Sequence, residues 1–408
     1  MPKAFVLSGG SRSQLGLLER ARALGHEVCV VDGAATAPLL AEADYPVVRS
    51  FTDVDGVLAD LGELAIEPVA VATMGSDLAV LPTARLAERL GLPGLSTETA
   101  ETVADKRKMR AAFEAGGVPS PGGLEVGSSE EAVVGASELG LPAVLKPVDG
   151  SGQRGVSEVR AEGELEPAFE RALAASRTGA VVLERYVEGE ELTVNGFLLE
   201  DEYFPMSVTQ RLLHPPPPLG VCMAHRFPSG LSTEQESRLF ELAHRASRAV
   251  GIVTGPSYVQ LRLEHGQPCV IEVGARLGGG KDAELAQLVT GFDAIQANVL
   301  WALGQLTRAD LERGEPVAPC GQVRFVVAPP GRIVRLDTSP ALALEGVHEA
   351  GFYWREGMVL PPLQSGAERL GYLLLTAPDE ATLDARTEQA LQALDVVIDV
   401  ERTQRALA

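Results

Sequence analysis

Residues 256–280, PSYVQLRLEHGQPCVIEVGARLGGG, contain two segments rich in apolar residues on either side of a turn at Glu264–Gln267. This pattern predicts a β-hairpin. If the loop has three residues, Gln260 pairs directly with Glu272 and their side chains share a face. A two-residue loop places Gln260 opposite Ile271 and moves its side chain to the other face. The register of the hairpin therefore decides which side chains meet.

Three positions of the second strand, Glu272, Gly274 and Arg276, lie on one side because side chains alternate along a strand. The Glu272 carboxylate and the Gln260 amide oxygen are hard-oxygen ligands of the kind that Mg²⁺ takes. Arg276, followed by Gly278–Gly280, has the charge to hold a phosphoryl group. The alternative interpretation is a salt bridge between Glu272 and Arg276.

A glycine-rich segment follows a second short strand. Residues 143–147 (AVLKP) predict a strand, and residues 149–155 (DGSGQRG) predict a flexible loop. The ammonium of Lys146 offers a point charge, and backbone N–H groups of the glycines can approach phosphate oxygens closely. The segment is thus a candidate triphosphate site, with an exposed surface lysine as the equally weighted alternative.

An acidic pair flanks the next turn. Residues 180–187 predict a strand that carries Glu184 and Tyr186 on one face, and Glu191 begins another strand after the turn. Carboxylates at this spacing can accept hydrogen bonds from an adenine amino group and a ribose diol. In isolation, surface acids on a loop are the favoured interpretation.

The rest of the chain suggests three regions. Residues 1–95 alternate strands and helices, which predicts a doubly wound parallel α/β domain. Its Ser8–Gly10 turn lacks the full dinucleotide spacing and indicates a plain strand-to-helix turn. Residues 96–310 follow as a second domain with a small α+β insert at about 118–190, and residues 311–408 as an α+β extension.

The composition excludes several classes of protein. The formal charge of −21, from 35 basic and 56 acidic residues, argues against sequence-independent binding to nucleic acid or to an anionic membrane. The four cysteines are scattered, as in a reducing compartment, and no 18-residue apolar run occurs. We expect a soluble cytoplasmic protein. The sequence shows no Ser/His/Asp or Cys/His arrangement that predicts a protein nucleophile.

These elements occur in an order that resembles the ATP-grasp superfamily. The resemblance rests on Lys106 in ADKRKMR, Lys146 before the glycine-rich loop, the acidic pair in LERYVEGEELTV, and the hairpin with Gln260, Glu272 and Arg276. It spans essentially the whole chain. Within the superfamily the chain looks most like carboxylate–amine ligases related to bacterial L-amino acid ligases. The resemblance implies an ATP-grasp fold that combines α/β and α+β parts: the N-terminal domain, a small lid insert and the C-terminal extension.

The resemblance also implies roles in binding ATP. Lys106 and Lys146 would contact its α- and β-phosphates, under a mobile loop at residues 150–155. The loop residues expected beside the nucleotide are Ser151, Gly152 and Gly155. The residues expected around adenine are Glu184, Tyr186 and the backbone near Val187, with Glu191 at the ribose.

In the same way, Gln260 and Glu272 would ligate Mg²⁺, and Arg276 would steady an acyl phosphate. Two positions depart from the family pattern. The first metal position is usually glutamate, although carbamoyl phosphate synthetase-like members also have glutamine there. Many members have asparagine where this chain has Gly274, which puts the coordination of a second metal ion in doubt.

The substrate site is the least defined. Five residues are candidates for it: His225, Arg276, Gly278, Gly279 and Asp77. A structural histidine at a strand end is the alternative for His225. Asp77 follows the last strand of the first domain, at the edge where open α/β sheets place ligands.

The function that the resemblance implies is ligation of a carboxylate, activated by ATP as an acyl phosphate, to an amine. The expected partners are small-molecule carboxylates and amines, ATP and Mg²⁺, and a second copy in a homodimer. Two alternatives stay open: a purine-pathway-like ligase or carboxylase acting on formate or bicarbonate, and a non-catalytic ATP-binding protein.

Overall fold

A computed structural model describes residues 1–150, 152–215 and 220–400. Within these residues the strands form four sheets. The strands are β1 Lys3–Ser8, β2 Glu27–Asp32, β3 Tyr45–Val48, β4 Glu67–Ala72, β5 Gly123–Val126, β6 Ala143–Pro147, β7 Ser157–Val159, β8 Val181–Arg185, β9 Glu190–Leu199, β10 Glu202–Leu213, β11 Cys222–Phe227, β12 Gly255–Glu264, β13 Gln267–Gly274, β14 Cys320–Val326, β15 Gly331–Asp337, β16 Val347–Phe352, β17 Val359–Leu360, β18 Gly371–Ala377 and β19 Asp395–Asp399. The α-helices are α1 Leu15–Ala23, α2 Val54–Glu63, α3 Asp77–Leu90, α4 Thr97–Ala104, α5 Lys106–Ala115, α6 Ser129–Leu139, α7 Leu165–Ala175, α8 Thr233–Ala249, α9 Asp282–Thr290, α10 Ala294–Ala302, α11 Ser339–Leu342 and α12 Glu380–Ala393.

The N-terminal sheet is parallel, with strand order β3-β2-β1-β4, as the alternating pattern predicts. Its first turn is occupied by the chain itself. The Gly10 N–H donates to the Asp32 carboxylate at 2.7 Å, and the Gln14 side chain donates to Ser8 O at 2.7 Å. The plain-turn interpretation of Ser8–Gly10 therefore fits the structure.

The segment after the N-terminal domain forms two helices, α4 and α5, rather than one, because the backbone at Asp105 between them is extended (φ −121°, ψ 113°). Asp105 caps α5 by accepting from the Arg107 and Lys108 N–H groups. The break places Lys106 at the first position of α5, and its backbone N–H donates to Val148 O at 3.1 Å. This contact brings the lysine to the glycine-rich loop.

A small sheet with strand order β5-β8-β6-β7 lies between the larger ones, and all its neighbouring strands are antiparallel. Helices α6 and α7 cover it, with a separate apolar core that includes Leu145, Leu165 and Leu183. This unit matches the predicted α+β insert. It positions Lys146 on β6 beside Glu184 on β8.

The central sheet has eight strands in the order β13-β12-β9-β10-β11-β14-β18-β16. Strands β14, β16 and β18 come from the C-terminal region and pair onward from β11. The predicted boundary at 310/311 therefore does not separate two sheets, and the domain limits stay predictions. Among the described residues, no helix is long and apolar enough to cross a bilayer.

Candidate active site

One cavity of about 420 Å³ lies between the small sheet, the central sheet, the loop that follows β4 and the segment that precedes β18. This volume is within the range of about 300–1,000 Å³ that small-molecule sites occupy. Most of the predicted site residues line it: Asp77, Lys106, Lys146, Gly152, Glu184, Tyr186, Val187, Glu191, His225, Gln260, Glu272, Arg276 and Gly279. Ser151 lies outside the described residues.

Gly155 and Gly278 are not among the lining residues, and both positions are tight. A Cβ on Gly155 would lie 2.5 Å from Ala175 Cβ, and one on Gly278 would lie 2.4 Å from an Asp282 carboxylate oxygen. Both glycines therefore allow close packing of the loops around the cavity. Their contact with a nucleotide or substrate remains a prediction.

Lys146 is buried and ion-paired, so the surface-lysine interpretation is wrong. Its Nζ lies 2.6 Å from Glu184 Oε2, and the Arg110 guanidinium donates to both Glu184 oxygens at 3.0 and 3.1 Å. Burial lowers the pKa of Lys146 to about 8, and the charges of Arg110 and Lys106 act in the same direction against that of Glu184. The ammonium is thus held at the cavity wall by a single acidic partner.

Lys106 stands beside the glycine-rich loop without a carboxylate partner among the described residues. Its Nζ donates to Gly150 O at 2.7 Å. Two lysines from different elements, α5 and β6, therefore line the same cavity. This cluster of cations suits the negative charge of a triphosphate.

Glu191 is also buried, so the interpretation of Glu184 and Glu191 as surface acids is wrong for both. Its carboxylate accepts from Arg211 Nε at 2.7 Å, from Gln260 Nε2 at 2.6 Å and from Arg262 at 2.9 and 3.1 Å. All these donors must share the two oxygens with any ribose hydroxyl. The ribose role of Glu191 stays a prediction, and the contacts instead show Glu191 orienting its neighbours.

The candidate metal pair is formed as predicted, but for a different reason. The turn of the hairpin has two residues, His265 (φ 51°) and Gly266 (φ 76°), yet Gln260 pairs with Glu272. A β-bulge between Gln260 and Leu261 accommodates Ile271 as an extra residue and restores the register.

The bulge has two local consequences. It brings both the Ile271 and Glu272 side chains to the cavity, and the Ile271 carbonyl accepts from Arg110 at 2.7 Å. Gln260 donates its amide N–H to Glu191, so the amide oxygen is the atom left to act as a ligand.

Arg276 pairs with Asp77 rather than with Glu272, so the predicted alternative is wrong. Its guanidinium makes a bidentate contact with the Asp77 carboxylate at 2.8 and 3.1 Å and lies 4.6 Å from the centre of the Tyr258 ring. Burial alone would raise the pKa of Asp77, but Arg276 holds it below its usual value. Asp77 begins α3, so this pair joins the N-terminal domain to the hairpin.

His225 lies inside β11 and lines the cavity, next to a pair of groups that the sequence did not reveal. Its Nδ1 lies 3.0 Å from Asp282 Oδ1, and its Nε2 lies 3.5 Å from Cys222 Sγ. Burial lowers the pKa of His225, but Asp282 and Cys222 outweigh it and raise the pKa to about 9. The imidazole is therefore a cation at neutral pH.

The Cys222–His225 contact is one that the sequence analysis did not predict. An irregularity in the pairing of β10 with β11, between Leu212 and Leu213, lies beside it and leaves no signal in the sequence. The expectation that the protein supplies no nucleophile stays a prediction. The Cys222 thiol donates to Ala224 O at 3.3 Å.

Sequence reasoning missed five buried or half-buried partners: Arg110, Arg211, Arg262, Asp282 and Arg369. Two of them carried a usable signal. Arg110 is one helical turn after Lys106, and Arg262 is two residues after Gln260 on the same strand. Arg211, Asp282 and Arg369 reach the site through long-range pairing that a single sequence does not show.

The residues fit ATP and Mg²⁺ on chemical grounds. Lysine and arginine cations, residues of the glycine-rich loop, and the Gln260 and Glu272 side chains all belong to residues that line the cavity. Within the described residues, no three His, Cys, Asp or Glu side chains converge on a metal position. Mg²⁺ bound by one or two protein oxygens together with phosphate oxygens needs no such group.

Three family models match the chain in consecutive order. They are the ATP-grasp N-terminal domain at residues 18–94, the ATP-grasp domain at 139–284, and the L-amino acid ligase C-terminal domain 2 at 324–399. The first two cover the parallel domain and the cavity strands. The third covers the strands that extend the central sheet.

Proteins of similar sequence agree with these matches. An uncharacterized protein, y4rH, of Sinorhizobium fredii is 27% identical over 97% of this chain and 83% of its own length. Alanine–anticapsin ligase of Bacillus subtilis is 26% identical over 64% of this chain. That alignment spans 59% of the ligase, so the chain matches only part of it.

Solved structures show the same fold. L-amino acid ligase from Bacillus licheniformis superposes with a TM-score of 0.81 at 23% identity, over 98% of this chain and 99% of that one. Biotin carboxylase from Campylobacter jejuni superposes with a TM-score of 0.76 at 19% identity, over 98% and 92%. The consecutive domain matches, the relatives and the shared fold together support an ATP-grasp ligase that resembles the L-amino acid ligases.

Proposed function

We propose that this protein uses ATP and Mg²⁺ to activate the carboxylate of an amino acid as an acyl phosphate and joins it to an amine. The products are an amide or peptide bond, ADP and phosphate. The observation that carries the proposal is the convergence of Lys106 and Lys146 with the Gln260–Glu272 pair on one cavity.

The first step is attack of the substrate carboxylate on the γ-phosphate of ATP. Lys106 and Lys146 would bind the phosphates, and Arg276 would bind the phosphoryl group as it moves to the carboxylate. Gln260 and Glu272 would hold Mg²⁺, which screens phosphate charge when bound. Catalysis by these residues is positioning and electrostatic stabilisation, because the phosphoryl transfer itself needs no covalent chemistry from the protein.

In the second step the amine attacks the acyl carbon and phosphate leaves. Asp77 fixes the direction of the Arg276 guanidinium, and Asp282 keeps His225 protonated beside the cavity. We assign His225 and Gly279 to the substrate end, with the tight packing at Gly278 holding the loop of Gly279. Adenine is assigned to Glu184, Tyr186 and Val187, and ribose to Glu191.

We further propose a cytoplasmic homodimer that acts on small molecules and binds neither nucleic acid nor membrane. The four buried cysteines, which form no disulfide, support the cytoplasmic location. The charge of −21 supports the absence of binding to nucleic acid and to membrane. Size-exclusion chromatography with light scattering at several protein concentrations tests the dimer, and a monomer at all of them would contradict it.

The test of the reaction is a pairwise amino-acid screen scored by phosphate release, with mass spectrometry of the products. Formate and bicarbonate are included as separate acids. We expect phosphate and a dipeptide mass with at least one pair. ADP formed only with formate or bicarbonate would overturn the amino-acid assignment. ATP binding in calorimetry with no ADP from any pair would indicate a non-catalytic protein.

Arg276 provides the residue-level test. We expect Arg276→Ala to lower kcat about 100-fold or more, as removal of one preorganised charge-stabilising donor does. Arg332→Ala is the matched control, because Arg332 is exposed on β15 and its side chain, within the described residues, donates to the Gly357 carbonyl and to no group of the cavity. Near-normal turnover of the Arg276 variant would remove this residue from the mechanism.

A further inference from the structure

Arg369 directly follows a 3₁₀ turn at Gly366–Glu368, just before β18. It lines the cavity and belongs to the C-terminal region of the chain. Its Nε donates to Gly366 O at 2.8 Å and its NH1 donates to Cys222 O at 3.2 Å. The guanidinium carbon lies 3.6 Å from the centre of the Phe325 ring, within cation–π distance. The side chain is thus fixed in place by three contacts, none of them with an acid.

Among the described residues, other arginines of the cavity whose contacts the structure shows are paired with a carboxylate, and Arg369 is not. Arg276 pairs with Asp77, and Arg211 and Arg262 pair with Glu191. Within the described part of the chain, no carboxylate lies within ion-pair distance of Arg369. Burial lowers the pKa of Arg369, as expected for a cation without an acidic neighbour.

The backbone around Arg369 is also held. Its carbonyl accepts from the Trp354 indole N–H at 3.0 Å, and the next N–H, of Leu370, donates to Val326 O at 2.7 Å. A half-buried cation that is positioned this firmly, with N–H groups left to face a cavity, is suited to receive an anion.

The position of Arg369 indicates which substrate carries that anion. Beyond its neighbour Gly366, its side chain contacts β11 and β14, on the side of His225, whose ring lies 6.0 Å from that of Phe325. None of them involves the elements α5, β6 and β8 that carry the expected phosphate and adenine ligands. The carboxylate of the acid substrate is the group that reacts, whereas an amino acid that acts as the amine keeps its own carboxylate free to bind Arg369.

We propose that Arg369 binds a free carboxylate on the amine substrate and so selects amino acids over uncharged amines as acceptors. The inference rests on the proposed ligase function. Arg369 would then be a specificity-determining residue from the C-terminal region. The residues expected to bind the nucleotide come instead from the small and central sheets.

The experiment compares two acceptors and one trapping reagent. Wild-type enzyme and Arg369→Gln are assayed with an amino-acid acceptor, with the primary amide of the same amino acid, and with hydroxylamine, which captures the acyl phosphate as a hydroxamate without using an acceptor carboxylate. For Arg369→Gln we expect the KM of the amino acid to rise about tenfold to hundredfold, the size of effect of a lost charge-assisted bidentate contact. The KM of the amide and the hydroxamate rate should stay near wild type.

Two further variants separate binding from folding. Arg369→Lys keeps the charge but not the planar fork, so it should recover part of the affinity for the amino acid. Arg324→Gln is the matched control, because Arg324 also has no acidic partner among the described residues, donates to Met223 O at 3.4 Å, and is not among the residues lining this cavity. Its KM values should equal those of wild type.

Each other outcome counts against a distinct part of the inference. If Arg369→Gln raises the KM of amino acid and amide equally, Arg369 has a structural role and the proposal is wrong. If it abolishes hydroxamate formation, Arg369 serves the acid substrate instead. If the wild type forms no hydroxamate with any acid, the proposed ligase function is wrong. Calorimetry then tests Arg369 separately, and equal affinity of the wild type for the amino acid and its amide would refute carboxylate binding by Arg369.

Discussion

At the scale of single residues, several charges of the cavity are paired within the protein. Lys146 pairs with Glu184, Arg276 with Asp77, and Glu191 with two arginines. Residue type and spacing made both cations, Lys146 and Arg276, and the three acids candidates for the site. The pairings themselves could not be predicted, since Asp77 lies 199 residues from Arg276 along the chain. Binding of a triphosphate must therefore compete with contacts that the protein already makes.

The Lys146 ammonium predicts a pH dependence. Its pKa of about 8 lies below the usual value of a lysine, so the charge is present below pH 8 and is lost above it. Because kcat/KM reports the free enzyme, kcat/KM for ATP should fall about tenfold per pH unit above about pH 8. The Lys146→Arg variant stays charged up to pH 10, so its kcat/KM should not fall above pH 8. A flat profile to pH 10 in the wild type would contradict the assignment of Lys146 to the phosphates.

At the scale of elements, the hairpin has the predicted pairing of Gln260 with Glu272, although its turn has two residues and not the three that this pairing was expected to need. The turn His265–Gly266 has two residues, and both adopt the left-handed conformation that tight hairpin turns require. The bulge at Ile271 then restores the pairing of Gln260 with Glu272. The apolar pattern predicted the two strands. It could not predict the bulge, because Ile271 suits either face of a strand and its carbonyl is held by Arg110 from a distant helix.

Arg110 therefore joins three elements, α5, β8 and the bulge in β13, and its loss should be felt in stability. We expect Arg110→Met to lower the free energy of unfolding by about 1.5–3 kcal/mol, the usual size for hydrogen bonds to charged groups. Removing this neighbouring cation should also raise the pKa of Lys146 and move the alkaline limb to higher pH. Denaturant unfolding and the pH profile measure the two effects.

The control is Arg107→Met on the same helix. The side chain of Arg107 is exposed and pairs with exposed or half-exposed acids, so its loss should change stability by no more than about 0.5–1 kcal/mol. Equal stability of the Arg110 and Arg107 variants would show that Arg110 is not a structural link.

At the scale of the whole molecule, the C-terminal region is part of the central sheet. Strands β14, β18 and β16 continue the ladder from β11 and carry Phe325 and Tyr372 beneath the loops of the site. Sequence patterning predicted alternating strands and helices here. It could not assign them to an existing sheet, because the register of strands about a hundred residues apart leaves no local periodic signal. The same limit hid Arg369 from the sequence analysis.

The N-terminal domain meets the hairpin through two glycines, and this contact yields a prediction for the assembled molecule. A Cβ on Gly279 would lie 2.6 Å from the Gly75 carbonyl oxygen and 3.0 Å from Gly75 Cα, and the Gly75 N–H donates to Leu277 O at 3.0 Å. Both sides of the contact are backbone, so neither can turn aside as a flexible side chain would. Gly279→Ala should therefore push the loop that carries Asp77 away from Arg276.

We expect Gly279→Ala to lower the free energy of unfolding by about 1–3 kcal/mol, the usual cost of overpacking, and to lower kcat as Arg276 loses its fixed direction. Gly62→Ala is the control, because Gly62 is exposed in α2 with open space where its Cβ would be, and alanine favours a helix by about 0.5–1 kcal/mol. Denaturant unfolding and steady-state turnover measure both variants. If Gly279→Ala matches the wild type in both, the two domains do not depend on this backbone contact, and the Arg276–Asp77 pair must be held in another way.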